Sequence, residues 1–478
     1  TAEILKCNKP AWRLPGQYLV LMRPDVSESE MLESVKRLRA TGGGRGPPLE
    51  VLQIYTRALR GFLVRMRRDA LRLVARLPQV LYVEEDSSVF AQAGPWSLRR
   101  LPRPRGRPGD GAAVEVYLMD GSVLSSHREL GGRVLVTDFH SVPVGEAGGH
   151  REASRCKGHG THVAAVVMGS DTGVAPGARV NLVRVLDCRG KGTVSGALAG
   201  VEYIRAALRA HPPGAAVVLL PFTGAFSRSL NAACRDLVNT GAVVVAAAGN
   251  YRDDACLYSP ASEPEVITVG AVNSADQLVS QGPGGTNVGR CVDVFAPGGD
   301  IVSASSDCDT CFASGSGTSQ AAAHAAGMAA VLLSSSPSLT PVQVLQTLLR
   351  YSVSLPSVSG RRGLVTPSLV AALPPDGGGA AEELLCRSVW SERSRVRTVS
   401  QCRPGEEMMS CSSHAPDGAP AGHTTAVVQG QCVAYGGLGV TGVHAVARCC
   451  VVPRLQCWGR ARPRRGGACA EPQPPTAC

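Results

Sequence analysis

Three side-chain types in this chain stand in settings that suit acyl-transfer chemistry. Ser319 lies in Gly315-Ser316-Gly317-Thr318-Ser319-Gln320-Ala321-Ala322-Ala323-His324, a tight glycine turn opening an Ala-rich helix. His159 lies in Gly158-His159-Gly160-Thr161-His162, and Asp120 ends the apolar run Val116-Tyr117-Leu118-Met119-Asp120. A serine hydroxyl is a poor nucleophile until a histidine removes its proton, and the histidine needs a buried carboxylate to fix its tautomer and stabilise the imidazolium. Asn250 ends the run Val243-Val244-Val245-Ala246-Ala247-Ala248-Gly249-Asn250, where a buried strand gives way to a loop. Its side-chain amide, with a backbone N–H at the start of the Ser319 helix, suits an oxyanion hole. Taken singly, a Gly-Thr-Ser most often caps a helix and an Asp at a strand end most often closes a turn. Gaps of 39 (120 to 159), 91 (159 to 250) and 69 (250 to 319) residues leave room for strand–helix units that bring separate loops to one edge of a parallel sheet. No metal site is expected among these residues. His162 and His324 read as structural histidines packed on their helices beside the site.

The elements that must position these residues are legible as apolar runs. Val114 to Met119, Val180 to Leu186, Val217 to Pro221, Val243 to Ala248 and Val266 to Val272 fit strands of a parallel sheet covered on both faces. Asn231 to Leu237, with Cys234, reads as a helix between strands. The helix from Ser319 runs to the stop Ser334-Ser335-Ser336-Pro337, and Thr340-Pro341 caps another.

Residues 1 to 92 read as a separate unit. Gly16 to Met22, Val51 to Tyr55, Gly61 to Met66 and Leu81 to Glu85 are predicted strands; Ser27 to Ala40 and Asp69 to Leu77 are predicted helices. That order predicts a small α+β domain of ferredoxin-like type. After Pro374-Pro375-Asp376-Gly377-Gly378-Gly379 the composition changes, and residues 386 to 478 hold nine of the 17 cysteines. Such a stretch predicts a disulfide-stapled all-β module. Position suggests Cys386-Cys450, Cys402-Cys449 and Cys411-Cys432, although six cysteines allow fifteen pairings. Cys457, Cys469 and Cys478 lie in a Pro/Arg-rich tail that matches nothing well.

At 478 residues the chain has room for two or three domains. Its cysteine content points to an oxidising compartment. Cys308 and Cys311 have C-x-x-C spacing without a second pair at zinc-finger distance, which reads as a small disulfide loop. The sequence begins at Thr1 and holds no run of 18 apolar residues, so the expectation is a secreted, not membrane-spanning, protein whose signal peptide is absent from this chain. No Asn-x-Ser/Thr sequon occurs. The net charge of +11 raises nucleic acid as a partner, but the densest basic run, Arg99 to Arg107, is broken by Pro and Gly with only Trp96 nearby. Neither a recognition helix nor a stacking platform is visible, which argues against nucleic acid and for a solvated linker or an acidic polysaccharide contact.

The Asp120, His159, Asn250 and Ser319 segments resemble the subtilisin-like serine proteases of the proteinase K-like branch, from about residue 93 to 350. Val89-Phe90-Ala91-Gln92, Ser305-Ser306-Asp307-Cys308 and Asp253-Asp254-Ala255-Cys256-Leu257-Tyr258-Ser259-Pro260 carry the likeness further. Gln320 stands where subtilases usually carry Met, and Ala323 where they usually carry Pro; both departures argue against a generic digestive protease. The resemblance implies a subtilisin-like α/β core with a parallel sheet over 93–354, an inhibitory prodomain over 1–92, a linker over 355–385 and the Cys-rich region over 386–478. It implies one self-cleavage between Gln92 and Ala93, after which Val89-Phe90-Ala91-Gln92 stays in the cleft and the prodomain stays bound as a noncovalent partner. It implies disulfides Cys156-Cys188, Cys256-Cys291 and Cys308-Cys311, leaving Cys7 and Cys234 over. No cofactor is implied for the chemistry, and structural Ca2+ is compatible with the family.

The same resemblance implies binding to the growth-factor-like repeat of the low-density lipoprotein receptor and its relatives, directing receptor to lysosomes and so regulating cholesterol uptake. The implied binding face is Asp307, Cys308, Cys311 and Phe312, with Asp171, Val302 and Ala93 near it. The implied route is through the endoplasmic reticulum and Golgi to secretion, then endosome and lysosome with the receptor. Two readings compete: a protein that uses its triad once, on itself, and then binds; and an active secreted proprotein-processing protease acting in trans. The absence of Arg or Lys in Phe90-Ala91-Gln92 weighs against basic-site processing. A catalytically dead scaffold is disfavoured because every triad and oxyanion position is filled.

Overall fold

The computed structural model describes residues 2–7, 13–41, 49–91, 109–141, 158–210, 214–281, 284–355, 364–374, 384–415, 424–436 and 442–451. Two compact units divide the chain, Thr1–Gly379 and Ala380–Cys478.

The first unit begins with β1 (Glu3–Leu5), β2 (Arg13–Met22), α1 (Glu28–Thr41), β3 (Leu49–Tyr55), β4 (Gly61–Met66), α2 (Arg68–Val74) and β5 (Val80–Ala91). The sheet order β5-β2-β4-β3, with antiparallel pairing throughout, is the ferredoxin-like arrangement that the sequence predicts. Alternation along β2 decides what covers each face. Tyr18, Val20 and Met22 pack with Met31 and Val35 of α1 and Ala70, Leu71 and Val74 of α2. Leu19 and Leu21 face the other way, into a cluster shared with the rest of the unit. A sheet apolar on both sides needs a second cover, and this one finds it in the larger domain.

That domain is built on a sheet that, among the described residues, has nine strands in the order β20-β21-β17-β14-β12-β10-β6-β8-β7. In chain order its elements are β6 (Val114–Asp120), β7 (Val134–His140), α3 (His159–Met168), β8 (Arg179–Arg184), β9 (Lys191–Thr193), α4 (Val194–Ala210), β10 (Ala215–Leu220), β11 (Phe222–Ala225), α5 (Arg228–Asn239), β12 (Val243–Ala247), β13 (Tyr258–Ser259) and β14 (Ile267–Val272). There follow β15 (Ser280–Gln281), β16 (Gly284–Gly285), β17 (Val294–Pro297), β18 (Ile301–Ala304), β19 (Phe312–Gly315), α6 (Thr318–Ser335), α7 (Pro341–Tyr351), β20 (Val353–Ser354) and β21 (Leu369–Val370). Pairing from β7 through β21 is parallel, so both faces are covered: α3, α6 and α7 pack on one, α4 and α5 on the other. In β6, Val116 and Leu118 face the first layer, Tyr117 and Met119 the second. α6 passes through the centre of the domain because its side chains are small; a Cβ at Gly327 would lie 2.7 Å from the Cβ of Val174.

Several of these strands have no counterpart in the sequence expectation, among them β7, β17 and β21. β7 was not anticipated, because it is a half-exposed edge strand whose Leu135 and Val136 face solvent. β17 is four residues long, too short for a periodicity reading. The stretch 355–385 expected as a linker contributes β21, which pairs with β17 and buries Val370, Ala371 and Leu373. Here the peptidase core therefore runs past 354; a two-residue strand carries no period of its own and is created by its neighbours.

The second unit contains two three-stranded antiparallel sheets. β22 (Leu385–Trp390), β27 (His444–Val451) and β24 (Glu407–His414) form one; β23 (Arg397–Ser400), β26 (Gln431–Tyr435) and β25 (Thr424–Val428) form the other. Its core is small, with Cys432, Ala434, Val443, Ala445, Ala447 and Cys449 fully or almost fully buried. Disulfides Cys386-Cys450, Cys402-Cys449 and Cys411-Cys432 staple it. Cys457, Cys469 and Cys478 lie outside the described residues, as does the basic run Arg99 to Arg107.

Candidate active site

The sheet reverses its direction of growth at β6: β8 and β7 are added on one side, β10, β12, β14 and β17 on the other. Loops leaving the carboxyl ends of strands on either side of such a point enclose a crevice. Asp120 is the last residue of β6, and Asn250 follows β12. His159 is the first residue of α3, and Ser319 sits in the first turn of α6.

Asp120 is 1% exposed, and its Oδ1 accepts the Gly121 N–H at 2.6 Å. Oδ2 accepts the His159 Nδ1–H at 2.7 Å, which leaves Nε2 as the basic atom of the ring. The close approach depends on Gly160, since a Cβ there would lie 2.3 Å from the carbonyl oxygen of Ser122. Ser319 is buried, and its hydroxyl donates to the carbonyl of Pro221 at 2.6 Å. Proton transfer to His159 requires that this bond be given up. Pro221, at the carboxyl end of β10, is a contact that no sequence motif announces.

The Thr318 N–H donates to Asn250 Oδ1 at 3.0 Å, which pins the amide beside the helix start. Gly249 adopts φ +104° and donates its N–H to Thr318 Oγ1, the turn that brings Asn250 to the helix. An amide donor and the unsatisfied N–H groups of a helix start are the parts an oxyanion hole uses. His162 and His324 are buried beside the site, and the His324 Nδ1–H donates to the carbonyl of Gln320. Burial first, and the neighbouring His159 second, push His162 down to about 4, so it stays neutral at physiological pH.

A strand occupies the crevice. The end of β5 lies between β9 and β11, antiparallel to both: Val89 pairs with Gly192 and Gly224, Phe90 with Lys191 and Thr223, Ala91 with Phe222. Gln92 and Ala93 lie outside the described residues. The strand is held there by carboxylates absent from the motif reading. Asp86 Oδ2 accepts the Ser195 hydroxyl at 2.5 Å and Oδ1 the Ser195 N–H at 3.1 Å, at the start of α4. Glu84 Oε2 accepts the N–H and hydroxyl of Ser229 at the start of α5. In return Glu202 of α4 accepts the backbone N–H groups of Thr56, Arg57 and Ala58. Period-2 alternation places Tyr82, Glu84 and Asp86 on one face of β5, so the signal was present in the sequence, but only docking shows that helix N-termini meet it. Burial raises both carboxyls, Asp86 to about 6.

A second surface gathers the other candidate residues. β18 and β19 pair as a hairpin whose loop is closed by Cys308-Cys311. Asp307 is exposed and accepts the Ser305 hydroxyl; Val302 is 55% and Phe312 37% exposed. Phe312 is not a core aromatic: the Arg128 guanidinium lies 5.2 Å over its ring, and His127 meets it edge-on at 5.9 Å. Arg128 also reaches Asp171 at 4.0 Å. His127 is itself locked, receiving the Glu129 N–H at Nδ1 and bonding the Cys311 carbonyl through Nε2. His127 and Arg128 were missed because nothing in the sequence links them to a hairpin some 180 residues away.

Cys256-Cys291 is formed; Cys156 of the expected Cys156-Cys188 pair lies outside the described residues. Cys7 and Cys234 are buried. Among the described residues the side chains that cluster as a metal ion would require are Cys402, Glu406 and Cys449. Two of them form a disulfide and Glu406 is held by Arg387, so that cluster offers neither a calcium nor a zinc site. No helix among the described residues is long and apolar enough to cross a membrane.

A model of the subtilase family matches residues 111–368, more than half of the chain. A model of the proprotein convertase subtilisin-like/kexin type 9 C-terminal domain matches residues 378–454. Among solved structures, a cold adapted subtilisin-like serine proteinase is 35% identical over 59% of this chain and 96% of that one, with a TM-score of 0.49.

Proposed function

The chain belongs to the subtilase family of serine proteases, and from that premise we propose that it cleaves itself once and then works as a binding protein. Ser319 is the nucleophile, His159 the base, Asp120 the orienting carboxylate, and Asn250 with the α6 start the oxyanion hole. Residues 1–92 are the prodomain and the cut falls between Gln92 and Ala93. The observation that carries this reading is the β5 end paired between β9 and β11: a chain laid antiparallel along both walls of the crevice is the pose of a substrate or product. A cut there leaves the product attached to a domain that buries a whole sheet face, so its effective concentration keeps the cleft closed. Activity in trans is therefore the weaker reading.

The binding surface is the edge formed by Asp307, the Cys308-Cys311 loop, Phe312, Val302 and Asp171, with Ala93 expected near it. An exposed aromatic braced by a guanidinium beside an exposed carboxylate is a recognition edge of the kind that carries binding energy. Its partner is the growth-factor-like repeat of the low-density lipoprotein receptor and related receptors, and the outcome is lysosomal degradation of the receptor. Secretion fits the disulfides, and acidic polysaccharide is a secondary partner of the basic segments. The decisive test is sequencing the N-termini of the secreted product: two co-purifying chains in the wild type, one beginning at Ala93, against a single chain in Ser319→Ala.

A further inference from the structure

The C-terminal unit carries a polar cluster that neither catalysis nor its disulfides use. On the face of the β22-β27-β24 sheet, His414 and His444 are directly opposed partners on neighbouring antiparallel strands. Directly opposed residues share a face with their Cβ atoms about 4.5–5.5 Å apart. Trp390 confirms the common face: its ring meets His414 edge-on at 5.3 Å and His444 at 5.9 Å.

The two rings differ in what they have left to offer. His444 is 5% exposed, and its Nδ1 lies 2.9 Å from the carbonyl of Ser391. A carbonyl only accepts, so Nδ1 carries the proton and Nε2 carries the lone pair. That Nε2 is buried without a hydrogen-bond partner. Leaving such an atom unsatisfied is destabilising, a cost that packing against Trp390 alone does not require. A ring that donates one N–H to a backbone carbonyl and keeps its other nitrogen without a protein partner has the arrangement of a metal-ligating histidine. His414 is exposed, so an ion reaches the pair from solvent and keeps its remaining positions for water or an external ligand.

We propose that His414 and His444 form a two-imidazole site for a borderline transition-metal ion of the Zn2+ or Cu2+ class. Two neutral imidazoles without carboxylates select against Ca2+ and Mg2+. The site is independent of the protease reading, since it lies wholly within the C-terminal unit.

The test uses the full chain, titrated with Zn2+ by calorimetry and with Cu2+ by tryptophan fluorescence at pH 7.4. One ion should bind at the pair, and Cu2+ should quench the share of emission that Trp390→Phe removes. His414→Ala, at an exposed position, should weaken binding by at least the roughly 10-fold that loss of an outer partner costs. Should His444→Ala fail to fold, His414→Ala and the Trp390 quench decide the matter without it. Equal affinity in wild type and His414→Ala, or quenching that does not involve Trp390, overturns the proposal and leaves the pair as packing around the indole.

Discussion

Acidification should tighten the grip of residues 1–92 on the peptidase domain, and the reason lies in Asp86. Bound, this carboxylate is completely buried against Ser195, and burial raises it from 3.8 to about 6 despite the hydrogen bonds it accepts. Once released into water it returns to its ordinary range. The bound state therefore holds its proton more tightly than the released state. The contribution to retention is full below about 3.8 and is lost as the pH rises through about 6. A difference of about two units corresponds to at most roughly 100-fold in the binding constant, or about 3 kcal/mol. Glu84, also raised by burial at the start of α5, acts in the same direction. The assay is the urea concentration that strips the 1–92 fragment from the purified complex, read by size exclusion between pH 7.5 and 4.5. The wild type should need more urea as the pH falls through 6. Asp86→Asn removes the charge but keeps one acceptor, so it should flatten most of that slope. Easier release at pH 5 than at pH 7.5, or an unchanged slope in Asp86→Asn, would refute the argument.

Ser319→Ala should be secreted as one uncut chain, seen on a denaturing gel; a cut after Gln92 in that variant would remove Ser319 from the chemistry. Asn250→Ala should slow self-cleavage by roughly 100 to 1,000-fold, as loss of one oxyanion donor does; pulse-chase processing at the wild-type rate would contradict the geometry. Phe312→Ala should cost about 1–3 kcal/mol of receptor-repeat binding by surface plasmon resonance while self-cleavage continues; unchanged binding would make the hairpin structural. Glu406→Ala removes both carboxylate oxygens that accept from Arg387, whose side chain is 12% exposed, and should destabilise the C-terminal unit by up to about 3–5 kcal/mol. A melting curve indistinguishable from wild type would show that the ion pair is dispensable.

The sequence by itself determined the elements that announce themselves locally. Long apolar runs made β6, β10, β12 and β14 readable, and the Thr340-Pro341 start made α7 readable, although the capping box that Gln343 completes shows only in the fold. Asp120, His159, Asn250 and Ser319 stood out as candidates because each sits in a distinctive local setting and the four keep one order along the chain. Tertiary structure decided what no local pattern holds. β21 is two residues long and exists because β17 lies beside it. Pro221 meets Ser319 across 98 residues, and Arg128 meets Phe312 because the loop after β6 and the β18-β19 hairpin fold to one side. Glu84 and Asp86 read as ordinary strand carboxylates until the sheet docks on α4 and α5. Chain connectivity constrains only near neighbours; a contact between distant segments is set by which apolar faces must cover each other, and that is settled when the whole core packs.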